Sequence, residues 1–167
     1  MRCPSCGFEN IEGEDTCENC GASLWPADTP QPATSFQGRL FGEHLDHLVP
    51  GAPLLADATE PIDRAIARMR EVGSDCLLVT HDGRLLGIFT ERDAVLKAAG
   101  LRMSDFALRD VMTRDPVVLR PDDTIGVAIH KMAVGGFRHI PVVDGGGAPL
   151  GVLAAKDVFR HVLALAG

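Results

Sequence analysis

The sequence predicts an α+β protein: two copies of a strand–helix–strand–strand–helix (βαββα) unit, preceded by a small four-cysteine hairpin head. Three observations predict it. A shift of 63 residues lays one half of the body on the other. Within each copy, apolar spacing switches between helical and strand periods in the same order. Four of the five cysteines fall in the first 20 residues, as two Cys-x-x-Cys pairs. A chain of 167 residues, 46% hydrophobic and 23% charged, has material for one or two domains with a real core and is not of disordered or fibrous composition.

The head spans residues 1–24. Cys3-x-x-Cys6 and Cys17-x-x-Cys20 each present two thiolates from one turn, and Gly7 and Gly21 follow each pair where the backbone must turn tightly. Four thiolates in this arrangement suit tetrahedral zinc, and a set of four sulfurs leaves no open position for water, so the zinc is structural. So short a segment buries little apolar surface, and metal binding would supply most of its folding free energy, about 10 kcal/mol. A redox pair would need a βαβ context that these residues lack. The stretch resembles a short zinc ribbon.

Residues 25–43 read as a semi-extended linker, because Pro26, Pro30 and Pro32 stand among small and polar residues that cannot pack a core. The block 41–48 reads as a short amphipathic helix entering the body. The first copy runs over 44–103 and the second over 104–167. Ile62, Ala65, Ile66 and Met69 form one helical stripe, repeated as Ile125, Ala128, Ile129 and Met132. Gly73 and Gly136 stop those helices. A strand pair around His81-Asp82-Gly83 follows in the first copy, and one around Asp144-Gly145-Gly146-Gly147 in the second. That second turn is one residue longer, which moves the shift to 64 and places Leu86-Gly87 on Leu150-Gly151 and Asp93 on Asp157. A further helix starts near Glu91 and near Ala155. Ordered matches with one insertion in a glycine-rich turn mark a tandem duplication.

Charge and hydropathy narrow the function classes. The net charge is −7, and residues 1–43 carry two basic against seven acidic groups, a net −5. Phosphate backbones attract basic surfaces, so nucleic acid is a disfavoured partner. No apolar run approaches the roughly 20 residues of a membrane span, and no stretch at the N-terminus reads as a secretory signal. The expected location is the cytoplasm, where thiols stay reduced and disulfides are disfavoured. Cys76 lies in an apolar run and reads as a small buried residue. No nucleophile–base pairing and no Walker-type loop points to an enzyme.

The segment Gly87-Ile88-Phe89-Thr90-Glu91-Arg92-Asp93, together with the repeat, resembles a tandem pair of CBS domains, the Bateman module, over roughly residues 44–163. The resemblance implies two copies packed as a pseudo-two-fold pair, a regulatory role, and an adenosine-containing ligand such as AMP, ADP, ATP or S-adenosylmethionine. In the family pattern the hydroxyl and the carboxylate hold the ribose and phosphate ends, roles that fall here on Thr90 and Asp93. A carboxylate bridging two ribose hydroxyls makes charge-assisted bonds of about 1.5–3 kcal/mol each. The same Thr-x-x-Asp spacing is also a helix-capping signature, so the pair fits ligand binding, capping or both.

The resemblance also implies that residues preceding the middle strand of one copy reach the phosphates held by the other. Those residues are Arg138 and His139 in the second copy and Asp75 and Cys76 in the first. Arg138 also fits a solvated side chain, and His139 a satisfied, partly buried imidazole. The second copy reads Gly151-Val152-Leu153-Ala154-Ala155-Lys156-Asp157, without the hydroxyl at Ala154. A nucleotide on Thr90 and Asp93 would meet Arg138 and His139, whereas one on Asp157 would face Asp75. The expectation is therefore a sensor occupied at the first-copy site and weak or empty at the second, with the zinc head docking an unknown protein partner and a homodimer formed through the body. The competing class is a nucleic-acid-binding regulator that reads through the ribbon.

Overall fold

Helix signals in the sequence carry through to the backbone. The computed structural model describes residues 3, 6–11, 16–22, 24, 38, 42–45, 48, 51–97, 100 and 102–166. Most of the 25–43 linker falls outside them. In the first copy, strand β1 (Leu55–Asp57) leads to helix α1 (Ile62–Val72), and α1 buries the predicted Ile62, Ala65 and Met69. Gly73, at φ 65°, takes the left-handed conformation that ends the helix, and its amide donates back to the carbonyls of Arg70 and Met69. Strands β2 (Cys76–His81) and β3 (Arg84–Thr90) then pair antiparallel around Asp82 and Gly83, both at positive φ. Helix α2 (Glu91–Lys97) follows.

After a 3₁₀ turn (Met103–Asp105) come α3 (Leu108–Val111) and β4 (Thr113–Arg114). β4 pairs with β3 and completes a four-stranded sheet in the order β1-β2-β3-β4. The second copy holds α4 (Ile125–Gly135), β5 (His139–Val143), β6 (Pro149–Ala154) and α5 (Ala155–Ala166). Thr124 caps α4, its hydroxyl accepting from the Val127 amide, and Gly136 ends it at φ 65°. The strand expected ahead of α4 is reduced to one parallel bridge, Leu119 to Val142.

Two cores result. One gathers Ile62, Met69, Leu77, Val79 and Phe89; the other gathers Leu119, Ile125, Ile140, Val142 and Leu153. Between them, Cys76, Leu78 and Ile88 pack with Leu85 and Val152. Full burial of one such aliphatic side chain contributes about 1.5–3 kcal/mol.

The lead-in to each copy packs into the other copy's core. Leu45, fully buried, belongs to the second core, and Leu108, Val111 and Met112 belong to the first. The backbone shows the same exchange twice. Leu45 donates to the Asp123 carbonyl and Ile125 to Glu43; Leu108 donates to Glu60 and Ile62 to Phe106. A simple cut between 44–103 and 104–167 therefore does not separate two self-contained units. The 41–48 block also differs from one continuous helix: Glu43 and His44 break it, His44 bridging to Thr124, because their backbone groups bond the second copy.

Candidate functional site

The exchange brings the end of each hairpin beside the start of the other copy's hairpin. Glu91, at the head of α2, donates its amide to the Asp75 carbonyl within the first copy, and Ala155 repeats the bond to Arg138 in the second. Between the copies lie two clefts of similar size, with cavity volumes of about 480 and 450 Å³. Both fall in the range of small-molecule sites, roughly 300–1,000 Å³.

The first cleft gathers Thr90, Arg138 and His139, as the sequence predicted, along with Asp75. It also holds Glu91, Arg92 and Lys156, which the reading of the motif missed. The second cleft gathers Asp75, Cys76, His139, Lys156 and Asp157. Repeat alignment could have found Arg92 and Lys156, since a shift of 64 places one on the other.

Asp93 stands apart from the other candidates. It is buried and does not line either cleft. Its Oδ2 accepts from the Thr90 amide at 3.0 Å and from the Thr90 hydroxyl at 2.8 Å, and the Asp93 amide returns a bond to that hydroxyl. Its Oδ1 meets Lys97 Nζ at 2.6 Å and the Thr113 hydroxyl at 3.3 Å. Burial pushes the Asp93 carboxyl up, but the bonds from Lys97 and Thr90 outweigh it and hold it below the usual carboxylate range. The capping arrangement is thus the one present. The ribose role given to Asp93 needs a carboxylate open to the cleft, and here its oxygens are taken by its own surroundings. Thr90 does line the cleft, held from behind by Asp93.

Asp75 also departs from the expectation that it faces a ligand as a bare charge. Lys156 Nζ lies 2.5 Å from its Oδ2, and His139 Nε2 lies 3.9 Å away. The Lys156 bond is the main cause holding the Asp75 carboxyl low, and the same bond raises the Lys156 ammonium above its ordinary value. Burial lowers the His139 imidazole below its ordinary value despite the opposing pull of Asp75. Burial likewise pushes the Cys76 thiol up to about 11, which leaves it a protonated wall residue.

In the head, the two knuckles repeat one geometry. Cys3 donates to the Phe8 carbonyl and Cys17 to Ala22, while Gly7 and Gly21 donate back to Cys3 and Cys17. Both glycines sit at positive φ. Leu24 is buried against Cys3 and Cys17, and Asn10, itself buried, accepts from the Glu18 amide and so straps the knuckles together. The sulfurs of Cys3, Cys6, Cys17 and Cys20 all lie within 4.8 Å of one another, with Cys3–Cys20 at 3.7 Å and Cys6–Cys17 at 3.6 Å. A tetrahedron with Zn–S bonds of about 2.3 Å has sulfur–sulfur edges of about 3.8 Å, so the four positions fit zinc. The Ala22 amide lowers the Cys20 thiol, but the crowding sulfurs of Cys6, Cys3 and Cys17, with burial, push it up to about 12. The four sulfurs are placed so that, as thiolates, they could hold a metal cation between them.

Comparison with known proteins bears on the body. The CBS-domain family model matches residues 52–100 and 108–164. The CBS domain-containing protein CBSCBSPB1 of Arabidopsis thaliana is 30% identical over 150 residues, covering 86% of this chain. The chain spans only 28% of that relative's length. Among solved structures, CBSX2 in complex with AMP shares the fold with a TM-score of 0.65 at 23% identity, over 75% of this chain and 100% of that one. The CBS domain pair of protein MJ0100, in complex with 5'-methylthioadenosine and S-adenosyl-L-methionine, shares it with a TM-score of 0.66 at 21% identity, over 71% and 98%.

Proposed function

Because the chain belongs to the CBS-domain family, we propose that its body is a regulatory module that takes an adenosine-containing ligand in the first cleft. The observation that carries this reading is the cleft itself: about 480 Å³, lined together by the held hydroxyl of Thr90, by Arg138 and by His139. Thr90 and His139 supply hydrogen bonds, Arg138 supplies charge, and apolar walls at Ile88 and Val117 suit a base. Asp93 acts behind Thr90 as a positioning residue. The AMP held by CBSX2 and the adenosyl compounds held by MJ0100 support the ligand class.

The four head cysteines hold one structural zinc in this reading; when bound, the metal supplies the cross-link that a segment with so little core requires. The proposed setting is the cytoplasm, with the head docking a protein partner and the body pairing with a second copy. Among the described residues, no helix is long and apolar enough to cross a membrane.

Calorimetry of the full chain with AMP, ADP, ATP and S-adenosylmethionine tests the ligand reading. Binding should be lost in Thr90→Ala and Asp93→Ala and little changed in Asp157→Ala. Absence of binding to all four, or equal loss from Asp157→Ala, overturns it. We assign no catalytic step; ATP turnover abolished by Asp93→Ala would overturn that as well.

A further inference from the structure

The repeat pairs two helix ends whose surfaces differ. The turn that ends α4 reads Val134-Gly135-Gly136-Phe137-Arg138, and the turn that ends α1 reads Glu71-Val72-Gly73-Ser74-Asp75. Val134 is 76% exposed, and Phe137 is exposed with Val117 in one wall of the first cleft. A Cβ at Gly135 would lie 1.9 Å from the Phe137 ring, so the bare glycine lets that ring lie against the helix end. Arg138 and Arg92, both exposed, add positive charge to this apolar lip. The acids of the same wall are Glu91 and Asp75, and Asp75 is tied to Lys156. At the end of α1 the matching positions are Glu71, Ser74 and Asp75, so that lip is polar and acidic around Val72.

An exposed apolar lip set in positive charge fits a partner that is itself apolar and acidic. The head of this same chain is one. Residues 1–24 carry one base against five acids. Among the described residues of the head no side chain is basic, and Phe8, Glu9, Ile11 and Glu18 are all exposed, Ile11 at 70%. The interior of the head is filled by Leu24 against Cys3 and Cys17, which leaves Phe8 and Ile11 facing outward. Between Leu24 and Glu43, which bonds His161 on α5, run 18 residues. A chain of that number bridges about 20–25 Å. Such a tether gives an effective concentration of about 1 mM, so even a weak contact forms within one chain before it forms between two.

We propose that the cysteine head docks on the lip at the end of α4, with Phe8 and Ile11 against Val134 and Phe137, and Glu9 and Glu18 toward Arg138 and Arg92. The lip borders the first cleft, so the docked head covers its mouth and a ligand entering there displaces it. The docking stands apart from the ligand reading above; the displacement rests on it.

Photo-cross-linking of the full chain, with p-benzoyl-phenylalanine in place of Phe8, tests this. Irradiation should join position 8 to residues 134–138 and not to 71–75. The links should form within one chain, which a mixture of isotope-labelled and unlabelled chains reads out. Ile11→Glu and Val134→Glu should each cut the yield several-fold, with an unchanged thermal midpoint of the body as folding control. Adding Ile11→Lys to Val134→Glu should restore it. Salt at about 1 M, which screens charges beyond about 3 Å, should lower it. Saturating AMP should lower it as well, and Ile11→Glu should bind AMP several-fold more tightly by calorimetry. Links to 71–75, links between chains, no links at all, or a yield that neither glutamate variant changes overturn the docking. AMP that binds without lowering the yield overturns the covering of the cleft, and the proposal with it. Absence of AMP binding removes the ligand reading alone, because the cross-link map still decides the docking.

Discussion

Asp93 is only 7% exposed, and donors converge on it: the Thr90 amide and hydroxyl, the Thr113 hydroxyl and the Lys97 ammonium. The Thr-x-x-Asp spacing made the Thr90 contacts legible in the sequence. The Lys97 contact, four residues on along the same helix, was open to the same reading and went unread, whereas the Thr113 contact was not legible, because Thr113 arrives on a strand 20 residues away whose pairing is long-range. This geometry has a pH signature. A carboxyl held below its unfolded value of about 3.9 contributes stability above that pH and loses it as pH falls through the folded value. We therefore expect wild type to be more stable than Asp93→Asn by an amount on the order of 1 kcal/mol near pH 7, after solvent screening. Urea unfolding at several pH values should show that gap closing as pH drops below about 4. A gap independent of pH would mean that the charge contributes nothing.

At the scale of elements, glycines mark both what was legible and what was not. Gly73 and Gly136 were readable as helix stops, because only a residue free to adopt positive φ closes a helix this way. Gly87 matters for a different reason. A Cβ there would lie 2.7 Å from Met112 Sδ and 2.8 Å from the Thr113 carbonyl, so its bare backbone lets β4 approach β3. Nothing local in Thr113–Arg114 announces a strand, which is why the four-stranded sheet went unread while its central hairpin did not. The cysteine knuckles were legible outright, since their spacing alone constrains the geometry. We expect the purified chain to hold one zinc and Cys17→Ser to hold none by elemental analysis. Chelation should abolish protease resistance in the head while leaving the thermal transition of the body in place. Full metal retention in Cys17→Ser would remove the zinc assignment.

Across the whole molecule, the 63-residue shift sets Leu45 on Leu108 but does not show where either side chain goes. Self-similarity reports which positions are equivalent; it says nothing about which copy completes which core. The structure seats each in the core of the opposite copy. Leu45→Ala should therefore cost about 2–5 kcal/mol, the range for truncating a fully buried leucine, although residue 45 precedes the first copy's own strands. Hydrogen exchange should locate the loss in α4 and β5 of the second copy, not in α1 and β2. Loss confined to the first copy would contradict the exchange.

The traded lead-in segments also decide what happens if the polypeptide is severed between Lys97 and Arg102. The N-terminal fragment keeps the plug for its partner's interior and lacks its own, and the C-terminal fragment is in the mirror-image position. Each is incomplete in a way that only the other repairs, so a cleaved protein has a built-in reason to stay together, and two separately produced halves have one to find each other.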